Sequence, residues 1–239
     1  MPLKEIDISL PQEQRDSSDY LRQDKNNIRW IARKKQIPEG FEGLISEVDT
    51  YMEQGKIIKD EAGHKIVQLN FKGETLIIKK YQNKGLWHYS RKLFSQTRAL
   101  TAWKAFHWFR AAGIKTFNIV SVIERYNALT TTESYLISSL LPGKRLDEVD
   151  INEQRKYLIE NRVSSFFKKL RWIGFNHGDS KSSNFFLHQG KLFVFDLDSA
   201  KRRFLSFRIK NKILRDQKRI LKSFGREKST REALIKRFH

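Results

Sequence analysis

The chain has 239 residues and a mass of 28.4 kDa, with 47 Lys and Arg against 27 Asp and Glu, a formal net charge of +20 at pH 7. It contains no cysteine, which excludes disulfides and cysteine-ligated zinc. No apolar run approaches the ~18 residues of a membrane-spanning helix, and the polar N-terminus lacks a secretory-signal pattern. We therefore expect a soluble or surface-associated protein with a substantial core in two lobes.

We expect three segments along the chain: a partly ordered N-terminal extension over residues 1–54, a small lobe over 55–141 and a large lobe over 142–239. Runs of β-branched and aromatic residues bounded by turn residues predict the strands of the small lobe. The first three strands, at 56–59, 65–71 and 74–81, form an antiparallel meander with turns at Ala62-Gly63 and Lys72-Gly73. Two further strands are predicted at 117–125 and 134–141.

Two residues of the small lobe are candidates for contact with a nucleotide. Lys79 ends the apolar third strand, and the alternation of the strand turns it away from Ile78 and into a possible cleft. The alternative is a lysine that merely protects a strand end. Gly63 is the single glycine where a phosphate-covering loop is expected, although one glycine is also typical of a simple turn. No G-x-G-x-x-G or G-x4-G-K-[ST] motif is present, so a Rossmann or P-loop site is not supported.

A helix is predicted over residues 97–112, ended by Gly113, with a core-facing stripe at Leu100, Trp103, Phe106 and Phe109. In protein kinases this helix supplies a glutamate that pairs with the strand lysine. No acid occurs here between Glu74 and Glu124. The sequence therefore predicts that this ion pair cannot form from the helix.

The most informative stretch is 174–199, which follows a predicted helix over 152–172. A hairpin around Gln189-Gly190 is predicted to return Asp196 to the neighbourhood of Asn184. Carboxylate and amide oxygens at these two positions suit Mg²⁺ on a phosphate group, while Asp179 can orient an attacking hydroxyl. His177 is predicted to brace the loop by hydrogen bonding. The alternative is a pair of buried strands with polar residues at their ends.

Basic residues are concentrated in two blocks. Residues 79–115 carry nine Lys or Arg and no acid, and residues 201–239 carry fifteen against three acids. The second block includes a predicted amphipathic helix over 204–224, which can pack on the large lobe or lie on an anionic membrane. The blocks predict an acidic partner: nucleic acid, an anionic lipid surface or a phosphorylated glycan. The alternative is a solvated basic face.

The chain resembles the bacterial lipopolysaccharide kinase family, which includes the Kdo kinases and the core heptose kinases. The resemblance spans about residues 55–225 and lies in an ordered set of motifs: IIKKYQNKGLW, TRALTAWKAFHWFRAAGI, SYLISSLLPG, NHGDSKSSNFFL, FVFDLDSAK and QKRILKSF. Two departures stand out. Ala102 aligns with the helix glutamate of relatives, and Asp-Leu-Asp replaces the Asp-Phe-Gly of protein kinases, with Asp198 either a further metal ligand or a turn cap.

The resemblance implies an α+β, two-lobed protein-kinase-like fold with a small antiparallel-sheet N-lobe and a mainly helical C-lobe. It implies a catalytic Asp179, a Mg²⁺ site at Asn184 and Asp196, and an ATP-contacting Lys79. The expected activity is ATP-dependent phosphorylation of a sugar, Kdo or heptose, of the lipopolysaccharide inner core. We expect a cytoplasmic enzyme, peripheral on the anionic inner membrane, with that glycolipid as partner and no specific nucleic acid.

Two alternatives remain at this point. The missing helix glutamate favours a kinase-fold protein that binds a ligand without transferring phosphate. The charge of +20 favours a basic nucleic-acid-binding protein. Neither the sugar, its hydroxyl nor the oligomeric state follows from the sequence.

Overall fold

The computed structural model describes residues 18–61, 63–82, 96–127, 131–141, 143–149, 152–203, 206–224 and 228–238. Within these ranges there are twelve strands: β1 (Tyr20–Lys25), β2 (Ile28–Arg33), β3 (Lys56–Glu61), β4 (His64–Phe71), β5 (Glu74–Gln82), β6 (Ile119–Tyr126), β7 (Thr131–Ser139), β8 (Lys144–Arg145), β9 (Phe175–Asn176), β10 (Phe185–His188), β11 (Lys191–Val194) and β12 (Lys201–Arg202). The same ranges contain six α-helices: α1 (Phe41–Ser46), α2 (Val48–Gln54), α3 (Arg98–Ala111), α4 (Glu153–Ile173), α5 (Ser206–Ser223) and α6 (Lys228–Phe238).

Contacts divide the chain into two compact units. The sheet unit contains the described residues of Lys4–Trp103 and Asn118–Leu141, and the hairpin unit contains those of Lys104–Phe117 and Pro142–His239. The predicted boundaries at residues 55 and 142 stay a prediction.

The sheet unit is built on one seven-stranded antiparallel sheet in the order β1-β2-β6-β7-β5-β4-β3. The predicted meander of β3, β4 and β5 is confirmed, as are the strands β6 and β7. Lys72 and Gly73, at the β4–β5 turn, both have positive φ, at 50° and 84°. Two successive positive φ values match the right-handed twist of the strands that such a tight turn joins.

The described part of the N-terminal segment contributes two strands to the sheet. Residues 1–17 lie outside the described residues, but β1 and β2 join the sheet, where β2 pairs with β6. The short helices α1 and α2 bury Phe41, Leu44, Val48 and Met52 in the same core as Ile78 and Tyr135 of the sheet. The β6 residues that pair with β2 lie 89 to 97 positions further along the chain, so no local pattern indicates this pairing.

The hairpin unit contains the remaining predicted elements. Helix α4 ends at Gly174, which has φ +71° and donates its N–H to the carbonyl of Arg171. Strands β10 and β11 form the predicted hairpin, and Gln189 and Gly190 turn it with φ values of 47° and 67°. In α3, Phe109 is buried and packs edge-on against the rings of Phe166 and Phe175, which agrees with the predicted core stripe.

Candidate functional site

His177 is a buried brace of the loop that carries Asp179, as predicted. Its ring is fully buried, with Nε2 3.1 Å from the carbonyl oxygen of Phe195 and Nδ1 accepting the N–H of Asp179 at 3.2 Å. Burial lowers the pKa of His177, although the negative charges of the Asp216 and Asp196 carboxylates act to raise it. The imidazole is therefore neutral at pH 7, with its proton on Nε2 and directed to Phe195. In this state it ties the loop to the end of β11.

Gly178 is the position in this loop where only glycine fits. Its φ is +88°, and a Cβ there would lie 2.4 Å from the backbone oxygen of Ser199. Such a contact is far inside van der Waals distance, and a side chain is also strained at this φ. The glycine therefore allows the loop to approach the backbone after Asp196.

Asp216 of α5 anchors the backbone of this loop, and it is not among the residues predicted from the sequence. Its carboxylate is buried and accepts the backbone N–H of His177 at 2.8 Å and that of Gly178 at 3.0 Å. Ser180 donates its hydroxyl to the Asp216 carbonyl at 2.6 Å, and Ser223, further along α5, accepts the N–H of Ser182 at 2.8 Å. Helix α5 thus satisfies three backbone N–H groups of the loop.

A sequence signal for Asp216 did exist. It is the single acid of α5, and it falls on the side that carries the buried Ile209, Ile213 and Ile220. A lone carboxylate on the core-facing side of a basic helix needs partners, because a buried charge without hydrogen bonds costs several kcal/mol.

The Asp179 carboxylate is about one-third exposed and is held in place on two sides. Asn184 donates its amide Nδ2 to the Asp179 carboxylate at 3.0 Å and to the Asp179 carbonyl at 2.6 Å. Lys181 Nζ lies 3.4 Å from one carboxylate oxygen and Arg219 3.8 Å from the other. An oriented carboxylate beside cations and open to solvent can receive a hydroxyl group and accept its proton.

Asn184 and Asp196 are the two oxygen donors predicted for a metal ion, and their role as ligands stays a prediction. Both Asn184 donor bonds go to Asp179, so its Oδ1 is the atom that can ligate a cation. The Phe195 N–H donates to the Asn184 carbonyl at 3.1 Å. Asp196, which has φ +60°, therefore directly follows the residue that is hydrogen-bonded to Asn184. Within the described ranges no group of three or more His, Asp or Glu is placed to hold a metal by itself. Two protein oxygens that share a cation with phosphate oxygens fit Mg²⁺.

Asp198 is the second carboxylate of the Asp-Leu-Asp triplet. It is buried in the short 3₁₀ turn Leu197–Ser199 and accepts the hydroxyl of Ser199 at 3.2 Å. Whether Asp198 is a further metal ligand or a turn cap stays a prediction.

In the sheet unit, Lys79 and Lys80 lie on opposite faces of β5. Lys80 Nζ is 2.9 Å from Asp49 and 2.8 Å from Glu133. Lys79 lies on the other face, with Nζ 5.1 Å from the centre of the Tyr81 ring. The geometry assigns Lys80 to a structural charge cluster, and contact of Lys79 with a ligand stays a prediction.

The Lys80 cluster also contains Arg125 and Tyr135. Arg125 bonds to Asp49, and the Tyr135 hydroxyl donates to Glu133 at 2.8 Å. Burial alone would raise the pKa of Asp49 and Glu133, but the bonds to Lys80 and its neighbours outweigh it and lower both. The same bonds raise the pKa of Lys80 against the effect of burial. The cluster therefore remains charged at neutral pH.

Ala102 is fully buried in α3, where protein kinases have a glutamate. Glu124 lies on β6, two strands away from the β5 strand of Lys79. The register of β5, β7 and β6 places it on the same face of the sheet as Lys79, displaced by two positions along the strand direction. Its carboxylate is buried, accepts the Thr97 hydroxyl at 2.7 Å and lies 3.7 Å from Arg29. The sheet face of Lys79 thus has a buried acid that comes from a strand and not from the helix.

Gly63 lies between β3 and β4 with φ +97°, and a Cβ there would meet nothing within 4 Å. Its carbonyl accepts the N–H of Gln82 at 3.0 Å. A role of Gly63 in nucleotide binding stays a prediction, as do the roles of the other candidate residues. Three of these, Asp179, Asn184 and Asp196, come together in the hairpin unit, while Lys79 and Gly63 lie in the sheet unit.

The fold belongs to the kinase-like class, with mixed helices and strands and a large antiparallel sheet. The structure "WaaP in complex with acyl carrier protein" matches with a TM-score of 0.60 and 21% identity, covering 84% of this chain and 88% of that one. The Rio2 kinase–ADP/Mg²⁺–phosphoaspartate complex from Chaetomium thermophilum matches with a TM-score of 0.55 and 12% identity, covering 91% and 71%. At these identities the likeness concerns the fold alone.

The model of the Lipopolysaccharide kinase (Kdo/WaaP) family matches residues 49–239, and the chain belongs to this family. It is therefore a lipopolysaccharide kinase, a phosphotransferase that acts on a sugar hydroxyl of a glycolipid. The resemblance seen in the sequence is confirmed. No curated protein sequence matches the chain.

Proposed function

We propose that the protein is an ATP- and Mg²⁺-dependent kinase that phosphorylates a sugar, Kdo or heptose, of the lipopolysaccharide inner core. The observation that carries this proposal is the Asp179 carboxylate, which Asn184 fixes at 3.0 Å while the hairpin register brings Asp196 alongside. This is a base and two oxygen donors on one short segment, the arrangement that phosphoryl transfer from a metal-bound nucleotide needs.

In the proposed reaction a sugar hydroxyl attacks the γ-phosphorus of ATP, its proton passes to the Asp179 carboxylate, and ADP leaves. Asn184 and Asp196 would hold Mg²⁺, which would supply neutralisation of the phosphate charge. Lys79 contacts the nucleotide phosphates, and Gly63 lies in the loop expected to cover them. Catalysis then rests on positioning and on charge stabilisation, because the phosphoryl group itself needs little covalent help from the protein.

The proposal includes the architecture and the place of action. The sheet unit corresponds to a small nucleotide-binding lobe and the hairpin unit to a larger lobe, with helices α4, α5 and α6. No helix in the described part of the chain is long and apolar enough to cross a bilayer. We propose that the enzyme works peripherally on the cytoplasmic face of the inner membrane, where its glycolipid acceptor is exposed. The net charge of +20 suits an anionic glycolipid and needs no nucleic acid.

Phosphate transfer from labelled ATP to purified core glycolipid tests the proposal, with Asp179→Asn as the main variant. Loss of the carboxylate removes the proton acceptor, and we expect a decrease of about 1,000-fold. Asp147→Asn is a matched control, because Asp147 is equally exposed and also paired with an arginine, Arg145 at 3.0 Å. Mass spectrometry of the product identifies the sugar.

Unchanged transfer by Asp179→Asn would refute the assignment. Stabilisation of the wild-type protein by ATP and Mg²⁺, without transfer to any core glycan, would instead favour a binding protein with a kinase fold.

A further inference from the structure

Helix α5 has two faces of different composition. Its inner side buries three isoleucines and Asp216 and carries the groups that hold the catalytic loop. Its outer side exposes two large apolar side chains, Phe207 at 61% and Leu214 at 38%. These residues are seven positions apart, and two turns of helix place them on one line.

Cations surround this apolar line. The guanidinium of Arg208 lies 5.8 Å from the centre of the Phe207 ring. The exposed basic residues of the outer face are Arg208, Lys210, Arg215, Lys218 and Lys222. The single acid of the helix, Asp216, is buried on the opposite side, so the outer face presents no negative charge of its own. We call this set, with Phe207 and Leu214, the outer face.

We propose that the outer face of α5 docks on the surface of an anionic lipid bilayer. A helix that lies in a membrane interface has apolar side chains in its centre and Lys or Arg on both flanks, and it buries the former in the acyl boundary while the latter meet lipid phosphates. A nucleic acid would engage the cations but would leave Phe207 and Leu214 without an apolar environment. The combination therefore favours a bilayer.

Docking at this face has a consequence for the site, if the proposed function holds. Asp216 and Ser223 bind the backbone of residues 177, 178 and 182 from the inner side of the same helix, and Arg219 bonds to the Gly178 carbonyl. A helix fixed on the membrane therefore fixes the loop and Asp179 relative to the membrane surface. The enzyme would meet its acceptor sugar in one orientation, which reduces the entropy cost of bringing the two together.

Co-sedimentation with vesicles tests the docking directly. We expect the protein to bind vesicles of phosphatidylcholine and phosphatidylglycerol and to bind pure phosphatidylcholine weakly. The double variant Phe207→Ser/Leu214→Ser should bind the anionic vesicles at least tenfold more weakly, because two apolar side chains no longer enter the interface. Ile57→Ser/Ile58→Ser is the matched control, since these residues are similarly exposed, at 54% and 53%, on β3 of the sheet unit, and it should bind like the wild type.

Two kinase assays separate this inference from the proposed function. The rate on glycolipid embedded in vesicles, divided by the rate on its water-soluble deacylated form, should decrease about tenfold in the Phe207→Ser/Leu214→Ser variant and stay constant in the control. Wild-type vesicle binding by that variant overturns the docking proposal, as does equal wild-type affinity for DNA and for anionic vesicles. Absence of transfer to both acceptors by the wild-type protein refutes the kinase assignment, while the vesicle assay still decides the docking.

Discussion

The loop of Asp179 and the strand of Lys79 place their candidate functional groups by different means. In the loop, backbone groups are held directly: Asp216 accepts two backbone N–H groups, and the His177 ring bridges two segments. In the strand, the sheet register does the positioning, and it sends Lys79 to one face and Lys80 to the other. The loop depends on hydrogen bonds to a few buried side chains, whereas the strand depends on many individually weak backbone hydrogen bonds to its neighbouring strands.

This difference predicts different sensitivities. Changing one buried group of the loop should impair catalysis and local stability together, because the same bonds serve both. In the strand the two effects should separate, since Lys80 belongs to a charge cluster within the fold and Lys79 has the proposed role of contacting the ligand. The predictions below test this contrast, from the largest expected effect to the smallest.

Gly178→Ala should have the largest effect. The new Cβ would lie 2.4 Å from the Ser199 oxygen at a φ of +88°, so the loop must shift by an ångström or so. We expect transfer to decrease about 100-fold and the free energy of unfolding by about 1–3 kcal/mol. Gly73→Ala is the control, because its φ of +84° is similar but no atom lies within 4 Å of the added Cβ. Equal effects of the two substitutions on transfer would contradict the role of the close approach.

Asp216→Ala should come next, because it leaves the buried N–H of His177 and the part-buried N–H of Gly178 without their acceptor, at a cost of about 1–3 kcal/mol. We expect kcat to decrease about tenfold or more with little change in KM for ATP, because Asp216 binds the backbone just before Asp179 and has no proposed contact with the nucleotide. Asp216→Asn keeps one acceptor oxygen and should recover part of the loss. Hydrogen exchange of the His177 and Gly178 amides is the direct readout, and unchanged protection in Asp216→Ala would show that the bonds are unimportant.

Lys79→Met and Lys80→Met should have opposite phenotypes. We expect Lys79→Met to decrease transfer about tenfold with a smaller change in Tm than Lys80→Met, because the proposed role of Lys79 is contact with the phosphates. Lys80→Met removes the cation between Asp49 and Glu133 and should lower the free energy of unfolding by about 1–3 kcal/mol. Kinetics below the Tm of each variant, together with thermal denaturation, measure both effects. The reverse pattern would mean that the two lysines have been assigned to the wrong faces.

Acidification should loosen the loop before the charge cluster. The pKa of His177 is lowered from 6.5 by burial, so protonation favours the unfolded loop, and its stabilisation decreases as pH falls below 6.5. Asp49 and Glu133 have pKa values lowered from 3.8 and 4.5, so their contribution is complete above these values and decreases as pH falls through the lowered ones.

Hydrogen exchange over a pH series, corrected for the intrinsic rate, checks this order. His64 in the sheet unit also has a pKa lowered from 6.5, mainly by burial, so the comparison is best made in a His64→Gln background. There, protection of the loop amides should decrease near pH ~6, while that of β7 holds until pH ~4. Simultaneous loss in both regions would show that the loop does not open independently.

Locally encoded features were predictable from the sequence. The Gln189-Gly190 turn, the alternation along β5 and the end of α4 at Gly174 each depend on a few neighbouring residues, and each is found as expected. The absence of a helix glutamate was also visible, because it concerns composition and not geometry. The Asp179–Asn184–Asp196 segment was predicted from such local features, and the kinase-like fold class from the family resemblance of the sequence motifs.

Features that depend on distant contacts were not predictable. Asp216 binds residues 38 and 39 positions away, and Asp49 reaches Lys80 across 31 positions. The strands β1 and β2 were missed because their place in the sheet depends on pairing with β6. In each case the sequence contains the partners, but only tertiary packing determines which groups meet.

The two-residue turn at Gln189-Gly190 also makes the β10–β11 hairpin a spacer of fixed length between Asn184 and Asp196. One residue inserted in either strand would slide Asp196 by about 3.3 Å and turn its side chain to the opposite face. Relatives of this chain can diverge in side chains, as the 21% identity to WaaP illustrates, and in the lengths of surface loops. If Asn184 and Asp196 hold the metal as proposed, the number of residues between them is under a stricter constraint, and it provides a simple criterion for aligning distant members of the family.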